Sequence, residues 1–226
     1  MQRVLEPEVM DEEPEVTAYA RADFSDSNTL FVRTMLESIG RSPRRALDIG
    51  CGPGEIPILL AQACTNVDVV AVDASAPMLR IAREAVRKHG LEHRVTLSEQ
   101  RLPGLVFSRY DFDLIYSKDM LHHIPEPAAF WEEIARLHLQ GARDTNVFVV
   151  DLCRPESEHD AQRIVESVSA NESPLLKKDF YNSLLAAFTP TEIQDQLRAA
   201  GLNLGTAQLG PRHFCVSGRL PATASA

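Results

Sequence analysis

The stretch Ala46–Gly54, which reads A-L-D-I-G-C-G-P-G, decides how this chain folds. The residues up to Ile49 are apolar enough for a short buried strand, and the following Glu55–Ala63 is apolar and helix-prone. The glycines of the connection lack a Cβ, so the backbone can take unusual conformations and a ligand can approach it closely. The helix that follows offers free N–H groups and the positive end of a dipole. The stretch therefore predicts a strand, a ligand-binding loop and a helix.

An acidic residue follows the next predicted strand. Val67–Val72 is that strand, and Asp73 comes directly after it. A carboxylate at this place accepts hydrogen bonds from both hydroxyls of a ribose. The glycine loop and this acid together predict a cofactor that contains a nucleoside.

The spacing of the glycines distinguishes between nucleoside cofactors. Gly50, Gly52 and Gly54 are spaced G-x-G-x-G, whereas the dinucleotide fingerprint is G-x-G-x-x-G. Asp48, just before the first glycine, would repel a pyrophosphate but suits a ligand with an ammonium group. With Asp73 as the second acid, the chain resembles the class I S-adenosylmethionine-dependent methyltransferases, whose first motif reads much like L-D-I-G-C-G-P-G.

A second motif strengthens this resemblance. Phe112–Tyr116 reads F-D-L-I-Y and Leu121–Pro125 reads L-H-H-I-P, similar to the fourth-strand motif of small-molecule methyltransferases. This motif is most similar in form to that of the ubiquinone- and menaquinone-pathway C-methyltransferases. The resemblance covers roughly Ala46–Leu139. The chain departs from the family at Arg136–Arg143, where members of the family have the sequence R-V-L-K-P-G-G.

Strands and helices alternate along the chain, which predicts an α/β fold. We expect a Rossmann-like, doubly wound sheet of seven strands, mostly parallel, with a C-terminal antiparallel hairpin strand as in the family. The predicted strands are Arg45–Ile49, Val67–Val72, Arg94–Leu97, Phe112–Tyr116, Asn146–Asp151, Asn203–Gln208 and His213–Arg219. The best-defined helices are Glu55–Ala63, Ala76–Lys88 and Pro127–Leu139.

The chain divides into two parts. Residues 1–40 are expected to form an N-terminal arm, acidic and solvated at its start, followed by two cap helices within Val16–Ile39 that cover the cleft. Residues 41–226 are expected to form the methyltransferase domain, with a helical insertion at 155–188. The end, Pro221–Ala226, is expected to be disordered.

Bulk properties limit the function further. The chain has 226 residues and a net charge of −9, which suits one domain and disfavours a nucleic-acid partner. It has no apolar run of the roughly 20 residues needed to cross a bilayer and no signal-peptide core at its start. We therefore expect a cytoplasmic protein without stable membrane insertion. No feature of the sequence indicates an oligomeric state.

The cysteines give no sign of a metal site. They stand alone, without the C-x-x-C pairs of zinc sites, and are expected to be reduced and buried. No trio of other ligands is visible either, so the sequence predicts no metal. The four cysteines are Cys51, Cys64, Cys153 and Cys215.

The resemblance assigns the cofactor site to segments that follow the first four strands. The loop backbone is expected to lie against the methionyl part and the ribose, Asp48 to face the amino group directly or through water, and Asp73 to take the ribose hydroxyls. Cys51 contacts the cofactor by its position, with core packing as the alternative. The complete expected set is Asp48, Gly50, Cys51, Gly52, Gly54, Asp73, Ala74, Met78, Ser98, Glu99 and Ser117.

The last members of that set have defined roles. Ala74 and Met78 are expected beside the adenine. Ser98 or Glu99, with Glu99 favoured, is expected at the adenine amino group. Ser117 offers its carbonyl to the ammonium group.

Two histidines are the candidates for acid–base catalysis. His122 and His123 carry imidazoles, which titrate near neutrality, and the alternative is that they hold a loop by hydrogen bonding. Tyr19, Arg154 and Tyr181 are candidates for contact with the acceptor, with packing or surface roles as the alternative.

The sequence as a whole predicts methyl transfer from S-adenosylmethionine to a small-molecule acceptor by in-line displacement. The N/D-P-P-Y tetrapeptide of DNA amine methyltransferases is absent, since Ser117–Met120 reads S-K-D-M. One alternative is a non-catalytic, regulatory S-adenosylmethionine-binding protein. Another is a nicotinamide oxidoreductase, which Asp48 and the glycine spacing disfavour.

Overall fold

The computed structural model of this chain describes residues 1–222. The strands are β1 Arg45–Ile49, β2 Asp68–Asp73, β3 Val95–Glu99, β4 Leu114–Lys118, β5 Thr145–Leu152, β6 Gly205–Leu209 and β7 His213–Leu220. The α-helices are α1 Glu13–Arg21, α2 Ser25–Ile39, α3 Glu55–Ala63, α4 Ala76–Lys88, α5 Ala128–Gly141, α6 Glu158–Val168, α7 Pro174–Ala186 and α8 Pro190–Ala199. A 3₁₀ turn spans Leu121–His123. Disorder is expected for the chain end, Pro221–Ala226. Residues 223–226 of this segment lie outside the described range, whereas Pro221 and Ala222 lie within it.

The strands form one sheet in the order β3-β2-β1-β4-β5-β7-β6. Strands β1 to β5 run parallel, and β7 pairs antiparallel with both β5 and β6. The predicted fold class is confirmed. β1 lies between β2 and β4. The connection after β1 therefore leads toward one edge of the sheet, and the connection after β4 leads toward the other edge. Ligands of doubly wound sheets bind in the crevice at such a reversal.

Helices cover both faces of the sheet. On one face α5 and α8 pack against β1, β4 and β5, where Leu47, Ile115 and Val149 share a cluster with Trp131 and Ile193. On the other face α2, α3 and α4 pack against alternate residues of the same strands. No helix within residues 1–222 combines the length and the apolar character that crossing a bilayer requires.

Local sequence signals set most element boundaries. β1, α3 and α4 have the predicted bounds, and the other strands differ from prediction by one or two residues at their ends. The hydroxyl of Ser75 accepts a hydrogen bond from Met78 N–H and caps α4. Thr189 and Glu192 form a capping box at the start of α8. The two helices predicted within Val16–Ile39 are α1 and α2.

The expectation of a solvated start does not hold for every residue: Asp11, Glu12 and Glu13 are exposed, but the Glu6 side chain is not. In the N-terminal arm, defined here as residues 1–12, the Arg3 guanidinium lies 4.0 Å from the Phe188 ring centre, and the Glu6 side chain is 7% exposed. Composition alone shows an acidic segment, but it does not show that single side chains of that segment have buried partners. Arg3 donates hydrogen bonds to the carbonyls of Ala186 (2.6 Å), His122 (2.8 Å), Ile124 (2.9 Å) and Pro125 (3.1 Å).

A buried carboxylate joins the starts of two central strands. Asp113, fully buried just before β4, accepts hydrogen bonds from the backbone N–H groups of Arg44 and Arg45 at 3.0 Å each. The N–H groups that precede β1 are thereby satisfied, and β1 is held in register with β4.

We expect Asp113→Ala to lower the free energy of unfolding by about 2 kcal/mol, because it leaves two backbone donors without their charged acceptor. Urea denaturation at neutral pH measures this loss. Asp68→Ala is the matched control, since Asp68 is exposed at the start of β2 and is expected to change stability by less than about 0.5 kcal/mol. Equal stability of the two variants would contradict this role for Asp113.

Candidate active site

The loop after β1 is tied to the end of β2. The N–H groups of Gly50 and Cys51 both donate to Val72 O, at 2.9 and 3.0 Å, and Gly52 N–H donates to Asp73 Oδ2 at 2.7 Å. The loop therefore has a fixed conformation before any ligand is bound.

Two glycines of the loop leave no space for a side chain. Gly50 has φ +79°, and a Cβ there would lie 2.3 Å from Met120 Cγ. Gly54 has φ +86°, and its Cβ would lie 2.9 Å from Ala82 Cβ in α4. Gly50 thus allows the segment after β4 to approach the loop, while Gly54 allows α3 to approach α4.

Asp73 is held by backbone donors on both of its oxygens. Oδ2 accepts from Gly52 N–H, and Oδ1 accepts from Ser75 N–H at 2.8 Å. Burial raises the pKa of Asp73, and these backbone hydrogen bonds oppose the rise. Each carboxylate oxygen still has a free lone pair for a ligand hydroxyl.

A first cavity opens at the carboxyl ends of β1, β2 and β4. Six of the predicted cofactor residues line it: Gly50, Cys51, Gly52, Asp73, Ala74 and Met78. Tyr19 and Phe24 of the cap helices and Met10 of the N-terminal arm cover it. Met10 is fixed there, because the Ser75 hydroxyl donates to its carbonyl at 2.8 Å.

A second cavity adjoins the first. It lies between the cap helices, the 3₁₀ turn and α7, and its apolar wall includes Leu152, Leu176 and Phe180. The residues that line both cavities are Met10, Tyr19, Phe24, Lys118, Asp119 and His123.

His122 and His123 lie in the 3₁₀ turn beside the second cavity. His122 Nδ1 lies 2.5 Å from Asp151 Oδ1, and its Nε2 lies 3.4 Å from Glu6 Oε1. His123 Nδ1 lies 3.1 Å from the Pro7 carbonyl and 3.5 Å from the same Glu6 oxygen. The pair thus contacts both β5 and the N-terminal arm.

The surroundings of the two histidines shift their pKa values in opposite directions. Burial disfavours charge on His122, but the charge and hydrogen bond of Asp151, together with the charges of Glu6 and Asp119, outweigh it and raise the pKa of His122 to about 9. Burial and the charge of His122 lower the pKa of His123 to about 4. Burial raises the pKa of Glu6 to about 7, although the charge of His122 opposes this.

Comparison with known proteins finds similarity to methyltransferases. Residues 46–141 match the family model of a methyltransferase domain. The chain is 33% identical over 112 residues to a demethylmenaquinone methyltransferase of Lactiplantibacillus plantarum, covering 49% of this chain and 47% of that protein. It is 30% identical over 166 residues to a ubiquinone biosynthesis O-methyltransferase of Xylella fastidiosa, covering 72% of this chain and 62% of that protein.

The fold agrees with these matches. A SAM-dependent methyltransferase structure from Aquifex aeolicus superposes with a TM-score of 0.69 at 20% identity, covering 91% of this chain and 97% of that one. Residues 46–141 are thus similar to a methyltransferase domain, and the chain has the fold of an S-adenosylmethionine-dependent methyltransferase. It spans less than two thirds of the length of both curated relatives.

Three of the predicted cofactor residues lie beside or below the first cavity rather than in its wall. Asp48 is buried, its Oδ2 has no hydrogen-bond partner among residues 1–222, and burial together with Asp73 raises its pKa well above the usual range. The Ser117 hydroxyl donates to Ile49 O at 2.7 Å and links β4 to β1. Gly54 faces α4.

The predicted adenine contacts also lie outside the wall of the first cavity. The Ser98 hydroxyl accepts from Gln100 Nε2 at 3.0 Å, and Glu99 is exposed. The next residues of the chain, Gln100 to Leu102, line the first cavity instead. The sequence analysis named the same strand end but not these three residues, whose only sequence signal is that they follow β3.

The three predicted acceptor-contact residues are in different places. Tyr19 lines both cavities. Arg154 is bound to Ala187 O at 3.1 Å and to Glu192 Oε1 at 2.6 Å, and Tyr181 packs with α6 and α7. Neither of these two lines the first or the second cavity.

We expect Gly50→Ala to lower the free energy of unfolding by about 1–3 kcal/mol more than Gly40→Ala, because only the first creates an overlap with Met120. Gly40 is the matched control: its φ is +64°, and no atom of residues 1–222 lies within 4 Å of the place that its Cβ would take. Urea denaturation of both variants measures the difference. Equal losses would show that Met120 does not restrict the loop.

Proposed function

We propose that this chain transfers the methyl group of S-adenosylmethionine to a small-molecule acceptor. The observation that carries the proposal is that the two cavities meet. One wall of the first cavity is the glycine loop with Asp73, and the second cavity is apolar on one side and contains the histidine pair on another. A donor in the first cavity and an acceptor in the second would come together at Tyr19 and His123.

The chemistry of the first cavity fits the donor. The backbone of Gly50–Gly52 would hold the methionyl part and the ribose, and the free lone pairs of Asp73 would accept from the ribose hydroxyls. Asp48 lies too deep to line the cavity, so we assign its contact with the amino group to a bridging water.

Two contacts of the sequence prediction change in this proposal. We assign the adenine edge to Gln100–Leu102 rather than to Ser98 or Glu99, with Ala74 and Met78 beside the ring. We assign Gly54 to helix packing. The carbonyl of Ser117 remains our proposed neighbour of the ammonium group.

The bound donor supplies a methyl group on a positively charged sulfur, which is already an activated leaving group. The protein therefore has to align the acceptor with that methyl group and to exclude water. Tyr19, Phe24 and Met10, which cover the point where the cavities meet, would do both. When bound, the donor would supply its methyl carbon to the acceptor, and the electron pair of the broken carbon–sulfur bond would stay on sulfur.

We place activation of the acceptor at His122 and His123. Both line the second cavity, and His123 lines the first as well. The proton of the acceptor would be taken up at these two side chains. The wall formed by Leu152, Leu176 and Phe180 suits an acceptor with an apolar part.

The remaining features of the proposal come from the sequence. The net charge of −9 and the absent tetrapeptide after β4 favour a metabolite over a nucleic acid. The names of the relatives, which refer to demethylmenaquinone and ubiquinone, also support a small acceptor. A cytoplasmic location stays a prediction. No observation favours the regulatory or the nicotinamide-dependent alternative.

Calorimetric titration with S-adenosylmethionine and S-adenosylhomocysteine tests the donor site. We expect Asp73→Asn to weaken both by about ten- to a hundredfold, because a charge-assisted hydrogen bond contributes about 1.5–3 kcal/mol. Asp68→Asn, at the exposed other end of β2, is the control and should bind like wild type. Circular dichroism checks that both variants fold.

Two results would contradict the donor assignment. One is wild-type protein that binds neither ligand, and the other is equal affinity in Asp73→Asn and wild type. Titration with NADH then tests the nicotinamide alternative.

A further inference from the structure

We propose that Glu6, His122 and His123 bind a divalent transition-metal cation of the zinc type beside the second cavity. Each residue contributes one donor atom, and the three donor atoms lie within 4.8 Å of one another. Glu6 Oε1 lies 3.4 Å from His122 Nε2 and 3.5 Å from His123 Nδ1. The sequence predicted no metal site, because Glu6 is far from the histidines along the chain.

The two separations from Glu6 Oε1 fit a metal site. Zinc binds histidine nitrogen and carboxylate oxygen at about 2.0–2.2 Å in a tetrahedron, which places neighbouring donor atoms about 3.3–3.6 Å apart. Both Glu6 Oε1 contacts lie in this range. Although it is buried, Glu6 Oε1 has no hydrogen-bond partner among residues 1–222. A cation between the three groups would satisfy it.

Outer partners orient two of the three ligands. Asp151 Oδ1 lies 2.5 Å from His122 Nδ1, and Oδ2 accepts from the His122 backbone N–H at 3.2 Å. A metal-bound histidine usually donates its second ring N–H to such a carboxylate, which leaves the other nitrogen free for the metal. The Ser183 hydroxyl donates to Glu6 Oε2 at 3.2 Å and leaves Oε1 for the cation.

The donor set selects the type of cation. Two imidazoles and one carboxylate suit zinc and its neighbours in the transition series, whereas magnesium and calcium prefer oxygen ligands only. Three protein ligands leave the fourth position of a tetrahedron open, as in catalytic zinc sites. His122 and His123 line the second cavity, so an acceptor oxygen or sulfur there is within reach of that position.

This role rests on the proposed function. A hydroxyl or thiol bound at the open position of the cation would have a lowered pKa, so the acceptor would pass its proton to solvent water more easily. The histidine pair would then activate the acceptor through the cation rather than as a free base.

A competing explanation uses the same contacts without a metal. In it, charged His122 pairs with Glu6 and Asp151, and His123 donates its Nδ1 proton to the Pro7 carbonyl, so the cluster only fastens the N-terminal arm. As a metal ligand, His123 Nδ1 has to give up that proton. The two explanations therefore differ in whether the cluster takes up a metal.

Titration of the chelator-treated full chain with ZnCl₂, followed by calorimetry, decides between them. We expect one zinc ion per chain, and we expect Glu6→Gln and His123→Asn to weaken its binding by at least about tenfold. CoCl₂ should give the visible absorption of a four-coordinate site in wild type and lose it in both variants. Glu12→Gln and His93→Asn are the matched controls, because both residues are exposed and outside the cluster; they should bind zinc like wild type.

Two outcomes would overturn the proposal: no stoichiometric zinc binding by wild type, or equal zinc affinity in wild type, Glu6→Gln and His123→Asn. Thermal unfolding followed by circular dichroism confirms that the variants fold. The titration contains no S-adenosylmethionine, and the donor is titrated separately. Failure of zinc binding with intact donor binding would reject the metal site alone, and the reverse result would reject the donor site alone.

Discussion

The cleft depends on the hydrogen bonds that tie the loop after β1 to the end of β2. Val72 O accepts two loop N–H groups, and Asp73 accepts a third through its side chain. A glycine-rich loop loses much conformational entropy on ordering, so these bonds offset a cost that the bound ligand would otherwise have to meet. The first cavity is therefore preorganised, and its shape follows from the pairing of β1 with β2.

Asp73 consequently has two roles, one in the structure of the loop and one toward a ligand. Its carboxylate fixes Gly52 and caps the backbone at Ser75, and its free lone pairs face the first cavity. Burial acts against the charged form, while the two N–H donors act for it. A ribose hydroxyl pair would add further donors to the same carboxylate. Loop order and ligand affinity are therefore linked through one side chain.

Local sequence patterns were sufficient for most single helices and strands, because each depends mainly on residues that are close along the chain. The glycine loop followed by α3 is present as predicted, and the capping box at Thr189 is a pattern of the same local kind. β4 starts at Leu114 rather than at Phe112. The contact of Asp113 with the backbone before β1 joins distant segments and has no local pattern.

The candidate site was less predictable for the same reason. The loop, Asp73 and the histidine pair have recognisable motifs, whereas Gln100–Leu102 have no pattern of their own. Glu6 belongs to a segment whose composition indicates only solvated charge. Its place beside His122 and His123 depends on tertiary contacts that a single sequence does not show.

The N-terminal arm connects the two cavities physically. Arg3 binds the carbonyls of His122 and Ile124, so the arm is fastened to the 3₁₀ turn that carries the histidine pair. Further along, Met10 is bound to Ser75 at the first cavity. The arm therefore forms part of the surroundings of both cavities, and its hydrogen bonds at Arg3 and at Met10 hold it in that place.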